Sequence, residues 1–377
     1  MLKVASKKLG FPLILALLGL GLTSCTQQFP LGPVNMMVIQ PVGPSCQYQI
    51  RSASLQTIEN ISNLQGLLGR VVVHPDDLES DSNIFKLGLG FQGLDVQFSG
   101  SNGSYAPLDK DTLLGVSLYY GIEKGYLLFK NLDPSGDLLN IVPNMRDTYI
   151  VQNAELKSQP SSDQLYSDNA AYAQIEGANG PRDYFLHFPN KEISSIPLGF
   201  NAGVLIHEYA HMVAQYLFHN KRSEAGKNLS SESENTLAAF EEGFADYFAF
   251  LATGDPSFFH CSFPQGDGDR DLSHPKYLTT GQLSAITNSI DFDSHDGGAV
   301  WAAAQYQIGQ LIGHEANGRS LVRFINNLAS CTGLASSQVP ISFGTLKNCH
   351  LQALGTNNNT RVQQIYQNAF GAAGGFQ

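Results

Sequence analysis

The run His207-Glu208-Tyr209-Ala210-His211 constrains this chain more than any other five residues in it. Residues i and i+4 of an α-helix lie one above the other on one face, so a helix through this run presents both imidazoles to a single point. Glu208 falls about 100° round the same helix, close enough to address that point without occupying it. Two histidines at this spacing with a glutamate between them are how a helix offers zinc two ligands and a base. The flanks suit a buried helix: Asn201-Ala202-Gly203-Val204-Leu205-Ile206 precedes the run and Met212-Val213-Ala214 follows it. A third ligand is still needed, and it has to come from another segment.

The amino-terminal stretch reads as an address rather than as part of the fold. Lys3, Lys7 and Lys8 precede an apolar run from Leu13 to Leu22 that is short and Gly-rich for a membrane span. It ends in Leu22-Thr23-Ser24-Cys25, which resembles the bacterial lipobox. That resemblance implies that residues 1–24 are a signal peptide. Cys25 is then the lipidated first residue, holding an exported chain to the bacterial cell envelope. Thr26 in place of Asp implies the outer membrane where the cell has one. An ordinary secretory signal, cut nearby, or an uncleaved anchor is the competing reading.

Losing Lys3, Lys7 and Lys8 with the leader takes the formal charge from −11 to −14. Such an acidic chain is a poor partner for phosphate backbones and acidic lipid surfaces, which excludes nucleic acid. With Cys25 acylated, Cys46, Cys261, Cys331 and Cys349 remain, an even number in an oxidising compartment, which predicts two disulfides. Cys331 with Cys349, and Cys46 with Cys261, is the pairing expected among three possible ones. No pair has the C-x-x-C spacing of a thiolate zinc site.

A chain of 377 residues is ample for a large core and suggests two lobes. Residues 25–50 are rich in Pro and Gln and read as a tether. Leu55, Ile58, Ile61, Leu64 and Leu67 have helical spacing and predict a helix over 52–68, closed by Gly69. Strands are expected at Arg70–Val73 and across Phe85–Phe98, then a helix over 111–132 with a capping Asp. Ala170–Gln174 and Tyr184–Phe188 read as strands, the second with alternating faces. The polar run Lys221–Glu234 reads as a surface loop. A strong helix then spans Thr236–Thr253, stopped by Gly254 and Pro256. Gly297–Gly313, Ser320–Ser330 and Val362–Ala372 complete the predicted helices. Strands early and helices late predict an α+β fold: a β-rich, mixed lobe over 51–220 carrying the His-Glu helix, and a mostly helical lobe over 221–377.

The third ligand is sought in Glu241-Glu242-Gly243-Phe244-Ala245-Asp246. Glu242 and Asp246 are i and i+4 and share a face. A carboxylate added to two histidines completes a three-ligand set that leaves a fourth position open. A second carboxylate can then accept the free ring N–H of a ligand histidine and fix its tautomer.

Together these motifs resemble the gluzincin metallopeptidases, particularly the thermolysin and fungalysin families, and imply a zincin-like fold holding one Zn2+. By that resemblance His207, His211 and Glu242 are the zinc ligands, Asp246 supports a ligand histidine, and Glu208 is the general base for peptide-bond hydrolysis. Glu241 reads as a solvated acid. The metzincin pattern fails, since it wants Gly and His where Ala214 and Leu217 stand. Ser294-His295-Asp296-Gly297-Gly298-Ala299-Val300-Trp301 is similar to the fungalysin-like His…Gly…Val-Trp stretch. This gives His295 the role of oxyanion donor, with Asp291 or Asp293 as its orienting carboxylate. Arg270-Asp271-Leu272-Ser273-His274-Pro275 is similar to a thermolysin-family stretch whose Arg binds a substrate carbonyl. Asn169 and Ala170 resemble that family's substrate-pairing edge strand. Val204 and Phe240 are candidates for the pocket beyond the cut. The family's catalytic tyrosine has no match, and Tyr216 lies close to the His-Glu motif. The partners implied are a peptide or protein substrate and a membrane through Cys25. A surface lipoprotein that keeps zinc as a structural unit, and binds a partner without cutting it, is the alternative. The acidic run Asp267-Gly268-Asp269-Arg270-Asp271 lacks the Gly and distal Glu of an EF-hand loop and reads as a solvated turn.

Overall fold

A computed structural model describes residues 32–42, 46–73, 79–81, 84–86, 92–133, 136, 145–154, 167–177, 180–190, 196–263, 270–278, 293–355 and 359–370. The signal segment, Cys25, Asp267, Asp269 and Asp291 lie outside these residues. The fold is mixed α and β, with a β-rich amino-terminal part and a helical carboxy-terminal part. No described helix is long and apolar enough to cross a membrane.

Strands β1 (Val34–Pro41) and β2 (Tyr48–Leu55) pair antiparallel in a register that sets Val34 opposite Leu55. Then come β3 (Ile58–Asn60), β4 (Gln65–Gly66) and β5 (Gly69–Val73). The hairpin β6 (Glu79–Asp81) and β7 (Ile84–Lys86) is followed by β8 (Gln92–Gly93), β9 (Phe98–Ser101) and β10 (Ser104–Pro107). One sheet has the order β2-β1-β10-β9. The other runs β12-β13-β11-β5-β4-β3, with β8 on β5, using β11 (Tyr149–Gln152), β12 (Ala170–Gly177) and β13 (Gly180–His187).

The sequence expectations are corrected at four places here. Residues 34–41 of the expected tether are a sheet strand that buries Val34, Met36 and Val38. The predicted helix over 52–68 does not form. Leu64 at φ 44° and Gly69 at φ 99° sit in the left-handed region, while Leu55 and Ile58 are fully or nearly fully buried in strands. Instead Glu123 receives the backbone N–H of Gln56 at 2.9 Å and of Thr57 at 2.8 Å, satisfying donors that a helix would have bonded internally. Phe85–Phe98 is not one strand: β7 ends at Lys86, residues 87–91 lie outside the described set, and Leu94–Gln97 belongs to no strand, although the Gln97 carbonyl accepts from Leu108 N–H at 2.9 Å. Tyr184–Phe188 does not alternate. Asp183 to His187 are all buried, because β13 lies between β11 and β12 with side chains covered on both faces.

The helices are α1 (Lys110–Leu132), α2 (Ala202–Leu217), α3 (Glu224–Lys227), α4 (Ser231–Thr253), α5 (Ser294–Ile312), α6 (His314–Cys331), α7 (Phe343–Leu354) and α8 (Asn359–Phe370). Asp109 caps α1 through Thr112 N–H at 2.7 Å, two residues upstream of Asp111. Asn201 caps α2 by accepting from Gly203 N–H at 3.0 Å, and its amide reaches the Phe258 carbonyl at 2.9 Å. That pair of contacts ties the start of α2 to the chain beyond the end of α4. Gly254 ends α4 in the left-handed region at φ 73°. An aromatic spine locks α1, α2 and α4 together: Phe129 stacks on Phe248 at 4.5 Å between ring centroids and meets Tyr209 at 5.8 Å.

The polar run 221–234 is also corrected. It is not a free loop but a short helix, α3, folded onto α6: Ser223 N–H bonds the Leu334 carbonyl at 2.9 Å, and Lys221 Nζ bonds the Asn326 side chain at 2.6 Å. Both expected disulfides are formed. Cys46–Cys261 joins the β1–β2 region to the segment after α4, with Cα atoms 4.9 Å apart. Cys331–Cys349 joins α6 to α7 at 5.9 Å.

Candidate metal centre

α2 is buried around nearly its whole circumference, so both histidines are carried into the interior between β12 and α4. Nε2 of His207 and Nε2 of His211 face each other at 3.0 Å. Glu242, on α4, brings Oε2 to 3.2 Å from His207 Nε2 and 3.7 Å from His211 Nε2. Ligand atoms of these three residues all lie within 4.8 Å of one another.

Two glycines make that approach possible. A Cβ on Gly243 would come within 2.4 Å of the Gly298 carbonyl, and a Cβ on Gly298 within 2.6 Å of Glu242 Cβ. Bare backbone at both positions lets α4 and α5 touch, and Trp301, fully buried, closes the contact edge-on against Phe240 at 5.3 Å. The same contact delivers His295, at the start of α5, to the centre. Its Nε2 stands 3.3 Å from Glu242 Oε2, and its Nδ1 stands 2.7 Å from Asp293 Oδ1.

Every ring nitrogen pointing away from the centre has a carboxylate. His207 Nδ1 lies 2.9 Å from Asp246 Oδ1, and His211 Nδ1 lies 3.0 Å from Glu241 Oε1. Asp246 is clamped in turn by Arg270, through Nε at 3.1 Å and through Nη2. The Arg270 guanidinium lies 3.9 Å above the centre of the Phe259 ring. Glu208 is mostly buried and accepts the Tyr172 backbone N–H at 2.7 Å, so the edge strand fixes one of its oxygens.

The protonation equilibria follow from this crowding. Burial alone would raise Glu241, but the His219 and His211 rings outweigh it and hold the carboxyl at about 2. Burial opposes ionisation of Asp246 as well, and the Arg270 charge brings it down to about 2. Burial would lower His211, yet the Glu242 charge and the Glu241 hydrogen bond carry it well above its ordinary value. His207 is raised against burial by Asp246.

Whether these residues suit a cation is decided by one atom. Buried carboxylate oxygens are almost always hydrogen-bonded. Glu242 Oε2 is buried, has three ring nitrogens around it, and completes a hydrogen bond with none of them. Two imidazole lone pairs and a carboxylate oxygen converging on one point are the donor set of a divalent transition metal.

The surrounding cavity measures about 530 Å³. Among its walls are Asn169 just before β12, Ala170, Ala171, Tyr172 and Gln174 from β12, Val204 and Glu208 from α2, and Phe259, Phe263 and Arg270 from beyond α4. Asn169 and Ala170 thus lie where the sequence expected them, at the edge strand, and Arg270 lines the same space with two of its donors on Asp246. Phe240 does not line it; the ring is packed in the core against Trp301. Asp293 is the described carboxylate on His295; burial opposes its ionisation, and the hydrogen bonds from His295 keep it low.

Glu241 is another correction, since it is no solvated surface acid. It bridges His211 and His219, whose Nε2 lies 2.7 Å from Glu241 Oε2. His219, Arg222 and Asp183 were not singled out in the sequence. Asp183 receives the Tyr172 hydroxyl at 2.7 Å and the Tyr216 hydroxyl at 2.6 Å. The signal for His219 was weak: it stands two helical turns after His211, but past the last residue of α2. No protein family profile matches this chain, and no curated protein matches it in sequence.

Proposed function

We propose that this chain is a zinc metallopeptidase of the gluzincin type, with His207, His211 and Glu242 holding one zinc ion and Glu208 as general base. The observation that carries the reading is the buried Glu242 oxygen with no hydrogen bond, facing two imidazole nitrogens whose opposite nitrogens are already committed to carboxylates. Zinc bound there supplies Lewis acidity, polarising a carbonyl and acidifying a water. Glu208, with Oε2 on the Tyr172 amide, keeps its other oxygen to take a proton from water and pass it to the leaving amine. His295, with Nδ1 on the Asp293 carboxylate and Nε2 turned to the centre, is the side chain placed to stabilise a developing oxyanion. β12 pairs only with β13 among the described strands, so its outer edge can take an extended peptide as an added strand.

Export and anchoring through Cys25 belong to the same proposal, supported by two disulfides of the kind kept in oxidising compartments. The competing reading, a zinc-holding binding protein, draws on the two tyrosine hydroxyls near the cleft that are spent on Asp183.

The test is Glu208→Gln, assayed with a mixed peptide library alongside zinc analysis. The variant keeps one zinc per chain and loses turnover by roughly 10²–10⁴-fold. Undiminished cleavage by the variant overturns the assignment of the base. Stoichiometric zinc with no chelator-sensitive cleavage by the wild type favours the binding protein.

A further inference from the structure

Beyond Glu241 the structure continues a chain of hydrogen bonds that a three-ligand site does not require. His219 follows the end of α2 and places Nε2 at 2.7 Å from Glu241 Oε2. Its Nδ1 faces Arg222 Nη1 at 3.3 Å. The Arg222 side chain is 6% exposed and anchored at both ends, to Glu234 Oε1 at 2.7 Å and to the Gly226 carbonyl at 3.0 Å. These partners come from the segment around α3 that the sequence alone presents as a polar loop.

The donors in this chain can run only one way. A guanidinium is always protonated and has no acceptor, so His219 Nδ1 must accept from it. The ring proton of His219 is therefore on Nε2 and is donated to Glu241 Oε2. With that oxygen engaged, Oε1 of the same carboxylate is held toward His211 Nδ1 at 3.0 Å. His211 is then held in the orientation that commits Nδ1 to Glu241 and leaves Nε2 as the ring nitrogen available to a metal ion. Removing either outer member leaves Glu241 free to rotate or to take up water, and His211 loses the partner that selects its tautomer.

We propose that His219, set by Arg222, is a positioning residue for the metal ligand His211, acting through Glu241. The proposal rests on the reading of His207, His211 and Glu242 as zinc ligands. It assigns the α3 segment a function: α3 carries the anchor for one ligand, as Asp246 and Arg270 do for the other.

The experiment measures zinc affinity by competition with a chromophoric chelator on the full chain, together with the melting temperature of the metal-free form. His219→Leu is expected to weaken zinc binding about 10-fold, and His219→Gln, which retains an N–H near the Nε2 position, to recover part of that loss. In the Glu241→Gln background, His219→Leu adds less than twofold, because the group it acts through is already altered. Three results overturn the proposal while leaving the zinc reading intact: unchanged affinity in His219→Leu, full additivity with Glu241→Gln, or a loss in His219→Leu that His219→Gln does not relieve. Absence of stoichiometric zinc on the wild type overturns both together.

Discussion

Asp246 performs two tasks that a pair of variants separates. Its carboxylate is 1% exposed, accepts from His207 Nδ1 at 2.9 Å, and neutralises Arg270, whose side chain is 8% exposed. Lowering of its pKa from 3.8 to about 2 corresponds to roughly 2 kcal/mol in favour of the charged form. Asp246→Ala forfeits that and leaves a buried guanidinium without a counter-ion. The metal-free protein should therefore lose about 3–5 kcal/mol, as buried pairs do when one partner is removed. Zinc affinity should fall by about 10–100-fold, because His207 loses the acceptor that fixes its tautomer. The second variant, Asp246→Ala with Arg270→Met, removes the orphaned charge and leaves an apolar side chain over Phe259. Stability should return by most of the loss, since apolar replacement of a buried ion pair is often close to neutral. Zinc affinity should stay down, because nothing has been restored to His207 Nδ1. Urea denaturation after chelation reads the first quantity, and chelator competition reads the second. Recovery of both in the double variant would falsify the idea that Asp246 acts on the metal through the imidazole.

Three further outcomes follow from the same geometry. Since His207 and His211 are raised in the metal-free site, zinc competes with protons for their ring nitrogens. Calorimetry in buffers of different ionisation enthalpy should show net proton release on zinc binding, and affinity falling as pH falls; heats independent of buffer contradict this. Gly298→Ala puts a methyl group 2.6 Å from Glu242 Cβ, so α4 and α5 must separate, with a cost of about 1–3 kcal/mol and weaker zinc binding. A variant as stable and as metal-avid as the wild type would show that the helices do not need bare backbone there. Away from the centre, burial holds His350 down at about 3, with Tyr366 Oη 2.6 Å from its Nδ1. A depressed histidine is neutral in the fold and protonates in the unfolded chain, so stability is full above about pH 6.5 and declines as pH falls toward 3. At pH 4.5 its share is about 2–3 kcal/mol, which His350→Asn should remove from the difference between pH 7 and pH 4.5 urea midpoints; identical pH dependence in the two proteins would contradict it.

What the sequence made legible was whatever local rules determine. α2, α4 and α5 were readable because apolar spacing runs through each and Gly254 and Gly313 stop α4 and α5, and the candidate metal triad rides on α2 and α4. Long-range partners decided the rest. Leu55, Ile58, Ile61, Leu64 and Leu67 recur every three residues, which suits a helix. Yet Leu55 finds Val34 across a strand pair, and the backbone of Thr57 finds Glu123, 66 residues away. Glu241 and Glu242 look equivalent as neighbours in a sequence. They differ only because the end of α2 brings His219 beside one of them, while His207, His211 and His295 surround the other.

The charge balance of the cavity says why this cluster is more than a network of ion pairs. Glu208, Glu241 and Glu242 bring three carboxylates to one space of about 530 Å³, with Asp246 behind His207, and among the described residues Arg270 is the one lining side chain with a permanent positive charge. Asp246 already uses that charge. The imidazoles can supply more only by protonating at Nε2, and for His207 and His211 those nitrogens are 3.0 Å apart, so two protons between them repel. Nor can hydrogen bonding relieve Glu242, whose Oε2 is buried and unsatisfied. A single divalent ion would answer all three demands at once: it neutralises the excess carboxylate, separates the two ring nitrogens, and gives Glu242 a partner. The fold holds the outer nitrogens of both rings on carboxylates from α4, so the inner nitrogens are aimed at this point, and the cost of assembling the site is met by the packing of α2 against α4.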